Sequence, residues 1–162
     1  MDKHWVMNAS PVILLAKAQV IHLVSQVCEQ LVVPEGTVQE VHRGARSDEG
    51  RAWLAGAGAK FIKPSAPVPA AVAGFGLGLG ETQVLAWLAE HPGFEGVLDD
   101  LKARRCATKL GLQIIGSLRV LIVLKEKGLI PAIRPAVNRF RDAGFYLSGP
   151  LFQEALKQAG ES

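Results

Sequence analysis

Two adjacent carboxylates, Asp99 and Asp100, follow the apolar pair Val97-Leu98 and precede a basic helical pattern carrying Lys102, Arg104, Arg105 and Lys109. In an open α/β sheet, ligands bind just beyond the carboxyl ends of the parallel strands. Acids at that point are placed to hold a cation or to use its charge. The plainer role is helix N-capping, for which Asp is a preferred residue. The cation reading requires further oxygen ligands at other strand ends.

The elements that must supply them are legible as alternating strands and helices. Trp5-Val6-Met7 is a short strand pattern ending at Asn8, and Ser10-Pro11 reads as N-cap and first helical residue of a helix over 12–18. A second apolar stretch, 20–27, follows a kink near Gln19. Leu31-Val32-Val33 is a strand closed by Pro34, and a short helix over 37–43 turns Val38 and Val41 inward, with Glu40 on an adjacent face. Ser47 or Asp48 caps a helix to about Ala55, and Lys60-Phe61-Ile62 is a third, short strand. Residues 63–80 carry Pro64, Pro67 and Pro69, then Gly74, Gly76, Gly78 and Gly80, and read as a loop. The glycine spacing is neither GxGxxG nor a phosphate-binding P-loop.

Gly80-Glu81-Thr82 opens a helix stopped by His91-Pro92-Gly93. Val97-Leu98 is strand four, and the helix over 101–110 ends at Gly111. Gln113-Ile114-Ile115 is strand five. Helices follow over 117–128 and 131–143, and Ser148 caps a last one to Ala159. Strand–helix alternation implies βαβ units and a parallel sheet. Asn8, Ser10, Glu40, Glu81, Asp99 and Asp100 then come from four separate segments and fall at strand ends or in early helical turns. Carboxylates without a His or Cys ligand make an all-oxygen site suited to Mg²⁺ or Mn²⁺, with water filling the remaining positions. Such a site has the chemistry for phosphodiester hydrolysis.

The 162 residues suit a single domain, 1–162, whose C-terminal helices begin at about 131. The 49% hydrophobic content supports a core, 20% charge argues against disorder, and a net charge of +3 leaves nucleic-acid binding open without requiring it. Cys28 and Cys106 form no CxxC, and no His pair stands at i, i+4, so the usual zinc spacings are absent. The start, MDKHWVMNASPVILLAKA, lacks the pattern of a signal peptide, and the run 120–124 is too short to span a bilayer. The expectation is a soluble cytoplasmic protein that makes no membrane contact.

The segments Asn8-Ala9-Ser10, Val38-Gln39-Glu40-Val41, Gly80-Glu81 and Leu98-Asp99-Asp100 resemble, in order and spacing, the acidic motifs of the PIN-domain family. Gly116-Ser117-Leu118, Gly128-Leu129-Ile130-Pro131 and the tail Ala143-Gly144-Phe145-Tyr146-Leu147-Ser148 resemble a prokaryotic branch of that family. That branch comprises predicted nucleic-acid-binding proteins related to VapC-type toxins. The resemblance covers nearly the whole chain. It implies a three-layer α/β/α sandwich with a central five-stranded parallel sheet and a Mg²⁺- or Mn²⁺-dependent endoribonuclease. It further implies a homodimer and, for toxin members, a small antitoxin protein as partner. One departure stands out: Asn8 occupies the place of the usual first Asp, and its amide oxygen brings a ligand atom without a charge.

On this reading Glu40, Glu81 and Asp100 are the catalytic acids. Asn8 and Asp99 join them as metal ligands, and Ser10 orients a ligand or water from behind. Arg43, Lys102, Arg104 and Arg105, with Arg46 and Arg51, are candidates for phosphate contact with RNA. Trp53 and Trp87 have the spacing of core residues more than of base-stacking platforms. Two other readings compete. A non-catalytic RNA- or partner-binding module is favoured by Asn8. A receiver-like or other Mg²⁺ phosphatase domain is compatible with Asp99-Asp100, but no Lys stands at the end of the strand Ile114-Ile115.

Overall fold

The computed structural model describes residues 3–45 and 47–161. The chain runs β1 (Lys3–Met7), α1 (Ala9–Lys17), a four-residue α2 (Ile21–Val24), β2 (Cys28–Pro34), α3 (Glu35–Arg43) and α4 (Asp48–Ala55). A 3-10 turn at Ala59–Phe61 leads into β3 (Ile62–Lys63), a four-residue α5 (Ala70–Ala73), α6 (Leu79–Glu90) and β4 (Glu95–Val97). Then come α7 (Leu101–Lys109), β5 (Ile114–Ile115), α8 (Ser117–Glu126), α9 (Arg134–Asp142) and α10 (Gly149–Gln158). All strand pairs are parallel, in the order β3-β2-β1-β4-β5.

The two-residue period of the strands sorts their side chains into two cores. Trp5, Met7, Leu31, Val33 and Val97 face one way and pack with α1, α4, α8, α9 and α10. Val6 and Val32 face the other way and pack with Leu98, Val72 of α5, Val84, Leu85 and Leu88 of α6, and Ala103 and Cys106 of α7. The result is the three-layer α/β/α sandwich with a five-stranded parallel sheet. Burying each of the large side chains, such as Leu15, Leu85 and Phe140, contributes about 1.5–3 kcal/mol. The helices 117–126 and 134–142 put Val120 to Leu124, Ile133, Val137 and Phe140 into the first core.

Several local expectations are corrected. The helix after β1 starts at Ala9 with Asn8 in the N-cap position, so Ser10 is its exposed second residue and Pro11 its third. Proline is accepted there because first-turn N–H groups have no intrahelical acceptor. The kink at Gln19 is a full break: Gln19 adopts φ 62°, and only Ile21–Val24 resumes helix. Residues 63–80 are not one loop, because α5 pins Val72 into the second core at 1% exposure and Gly80 lies inside α6. The helix expected from 131 begins at Arg134, with Ile133 buried at its N-cap. Ser47 is fully buried and donates to Val41 O at 2.6 Å and Gly44 O at 2.8 Å instead of capping α4 with its side chain. Both cysteines are free and buried, and burial pushes the Cys28 thiol up to about 12. Among the described residues no helix is long and apolar enough to cross a membrane.

Candidate metal centre

The sheet grows outward from β1 to β2 and β3, then returns to the other side of β1 with β4 and β5. The reversal opens a crevice at the carboxyl ends of β1 and β4, the position where such sheets bind ligands. The backbone N–H of Asn8 donates to Val97 O at 3.0 Å, which ties the two strand ends together. Asn8 is 4% exposed and, among the described residues, its Oδ1 has no hydrogen-bond partner. An unpaired buried amide oxygen costs about 1–3 kcal/mol, so its retention points to a ligand that would satisfy it.

Two helices bring glutamates toward this strand end, Glu40 next to that oxygen and Glu81 next to Glu40. Thr37 of α3, fully buried, donates its hydroxyl to Met7 O at 2.9 Å and holds α3 over the end of β1. Gln83 of α6 accepts from Gly36 N–H at 2.6 Å, joining α6 to the start of α3. Glu40 then accepts the N–H of Gly80 at 2.5 Å. A Cβ at Gly80 would stand 2.7 Å from Asn8 Oδ1 and 3.0 Å from Glu40 Cδ. A Cβ at Gly78 would stand 3.2 Å from Glu81 Oε2 and 3.4 Å from Glu40 Oε1. The two glycines thus mark the ground between Asn8, Glu40 and Glu81. Their alternation in sequence serves this close approach and not a phosphate cradle.

The adjacent aspartates divide their work. Asp100 is the N-cap of α7 and accepts from Ala103 N–H at 2.9 Å. Asp99 points to the start of α8, where Oδ1 accepts Ser117 N–H at 2.8 Å and Oδ2 accepts the Ser117 hydroxyl at 2.6 Å. The acid whose charge reaches Glu81, besides that of Glu40, is Asp100. Burial chiefly pushes the Glu81 carboxyl above its ordinary value of 4.5; the charges of Glu40 and Asp100 push the same way, against its own backbone N–H.

Among the described residues, Glu40, Glu81 and Asp100 have no Lys, Arg or His partner in an ion pair. Nor do three His, Cys, Asp or Glu side chains form a ready coordination shell among them. An orphaned amide oxygen beside uncompensated carboxylates fits a Mg²⁺-type ion, which takes one or two carboxylates and keeps several waters. Asn8, Glu40, Glu81 and Asp100 are the residues that could hold it.

The remaining expected positions differ in their surroundings. Ser10 is exposed and lines a groove together with Glu40. Arg43 ends α3, and Lys102 and Arg105 lie on α7; all three are exposed. Arg104 is half-buried and packs over Gly116, its Nη1 being 2.8 Å from where a Cβ would stand. Arg51 is engaged elsewhere, paired with Asp48 at 2.5 Å and donating to Gly44 O. Arg46 lies outside the described residues. Trp53 is buried against Phe61, and Trp87 stacks on His91 at 3.9 Å. Thr37 and Gln83, which hold the glutamate helices, carried no signal in the sequence beyond being polar, and Ser117 stood in the Gly116-Ser117-Leu118 motif without its contact to Asp99 being evident.

No curated protein matches the chain significantly. A family model described as a PIN domain matches residues 4–161. The crevice, its acids and the all-parallel sheet thus sit in a chain that belongs to the PIN-domain family.

Proposed function

We propose that this PIN domain is a divalent-metal-dependent endoribonuclease whose metal is held by Asn8, Glu40, Glu81 and Asp100. The observation that carries the reading is the buried, unpartnered Asn8 Oδ1 beside Glu40, which Glu81 in turn adjoins, at the sheet's switch point. Bound Mg²⁺ or Mn²⁺ supplies Lewis acidity toward a phosphodiester and toward its attacking water. The chain's own work is positional. Thr37 and Gln83 fix α3 and α6, Gly78 and Gly80 leave room between the acids, and Asp100 orients α7 while lending its charge. Exposed Arg43, Lys102 and Arg105 supply phosphate contacts around the crevice, and Arg104 supplies one from α7. Asp99 belongs to the support of α8, with Ser10 close behind Glu40. Kinship with VapC-type toxins, a small antitoxin partner and a homodimer in the cytoplasm complete the proposal, on the strength of the sequence motifs.

The test is incubation of single-stranded and structured RNA with purified protein in Mn²⁺, Mg²⁺ or EDTA, alongside Glu81→Gln. Metal-dependent cleavage lost in the variant supports the reading. Cleavage that Glu81→Gln leaves unchanged refutes the assigned site.

The neutral Asn8 favours a second reading, an RNA-binding relative with little or no catalysis. Such a protein binds RNA with steep salt dependence and gains nothing from divalent metal.

A further inference from the structure

The segment after α9 is built to present one aromatic side chain. Gly144 adopts φ 94°, which ends the helix and turns the chain out. Phe145 then folds back: its N–H donates to Phe140 O at 2.9 Å, and its ring packs edge-on against fully buried Phe140 at 5.7 Å. The next residue, Tyr146, directly follows this anchor yet is 85% exposed, the most exposed large hydrophobic side chain among the described residues.

Tyr146 stands between two grooves. One, of about 440 Å³, is lined by Ser10, Glu40 and Tyr146 among others. The other, of about 470 Å³, is lined by Asp99, Arg104, Arg119 and Tyr146, with Leu101 and Leu151 as apolar walls. Leu101 is 60% exposed and Leu151 59%. The two grooves therefore meet at Phe145 and Tyr146; Glu40 lines the smaller one, and Asp99, the neighbour of Asp100, lines the larger. Arg104 forms no ion pair among the described residues, so the larger groove offers a cation and an aromatic face together. That pairing is the chemistry of single-strand recognition: phosphate to the cation, unpaired base on the ring. A duplex keeps its base faces stacked and has none to offer.

We propose that Tyr146 is a base-stacking residue which seats an unpaired nucleotide beside the acidic crevice, its phosphate directed to Arg104, and so selects single-stranded RNA. The assignment rests on the ribonuclease reading, and its test is read without cleavage. Fluorescence anisotropy of a short labelled single-stranded RNA is measured in EDTA against wild type, Tyr146→Ala, Tyr146→Phe and Tyr146→Trp. Tyr146→Ala weakens binding roughly ten- to a hundredfold, while Phe and Trp retain it. The same RNA with abasic sites binds weakly and is insensitive to Tyr146→Ala, and a duplex of the same sequence is equally insensitive. Arg104→Gln weakens binding and lowers the salt slope by about one. Equal affinity of wild type and Tyr146→Ala for single strands overturns the assignment while leaving metal-dependent cleavage to be judged separately. Unchanged RNA affinity with loss of a dimer on gel filtration makes this face an interface between copies and likewise overturns it.

Discussion

The backbone N–H of Gly80 donates to Glu40 Oε1 at 2.5 Å across 40 residues of sequence, so one catalytic candidate fixes the helix that carries another. Alanine at Gly80 would favour helix by about 1 kcal/mol. Its Cβ would also stand 2.7 Å from Asn8 Oδ1. Overpacking of this kind costs about 1–3 kcal/mol, and the clash is the larger effect. Gly80→Ala is therefore expected to lower the unfolding midpoint and to abolish metal-dependent cleavage, as read by urea denaturation and RNA gels.

Glu81 sets a pH dependence. Its native carboxyl lies above the ordinary 4.5, so the folded metal-free protein binds more protons than the unfolded chain between the two values. Stability then falls as pH rises through that window, and the contribution is relieved below it. Glu81→Gln is expected to flatten this fall in thermal unfolding measured with EDTA. With divalent ion present, binding strengthens as pH rises through the same window, because the ion requires the ionised carboxylate.

Asp100 has two roles that two variants separate. Asn caps helices as well as Asp does, so Asp100→Asn is expected to retain stability while losing cleavage. Asp100→Ala is expected to lose cleavage and, in addition, about 1 kcal/mol of stability with the Ala103 bond. Denaturant melts beside activity assays distinguish the two.

Asp99 acts through Ser117. Removing the Ser117 hydroxyl leaves a carboxylate short of one of its two bonds at α8. Ser117→Ala and Asp99→Asn are each expected to cost about 1–3 kcal/mol. In a double-mutant cycle the two are expected to be non-additive. Metal affinity of the folded protein is expected to change little in Ser117→Ala, which calorimetric titration with Mn²⁺ reads directly.

The neutral Asn8 offers a gain-of-function variant. Asn8→Asp adds a charge beside Glu40 in a 4% exposed position. It is expected to destabilise the protein in EDTA, to tighten Mn²⁺ binding and to raise cleavage at limiting metal. Differential scanning calorimetry with and without Mn²⁺ shows both signs at once.

The parallel sheet was legible because strands alternate with helices along the chain, while the order of the strands was not read from it. Asp100 and Glu81 were legible as positions because they fall at a strand end and in a first helical turn, where Asp100 caps as Asp normally does, whereas Glu40 lies in the second turn of α3. What escaped is what depends on long-range contact. Nothing local in Asp99 shows that it serves Ser117, 18 residues on. Nothing in a Pro- and Gly-rich stretch shows that Val72 is buried under α6, since that composition states backbone freedom and not tertiary packing. Ser10-Pro11 misled for a related reason. The strand ends at Met7, leaving only Asn8 before the helix, so the cap falls two residues earlier than the Ser-Pro pair indicates.

The central claim is that a divalent ion held by these acids makes the crevice a ribonuclease. The most direct measurement compares wild type and Asp100→Asn, matched in unfolding midpoint, on single-stranded RNA in Mn²⁺ and in EDTA. The account predicts cleavage by wild type in Mn²⁺ alone and at least a hundredfold loss, about 2.7 kcal/mol of transition-state stabilisation, in the variant. Equal cleavage by both proteins, or cleavage that persists in EDTA, would contradict it.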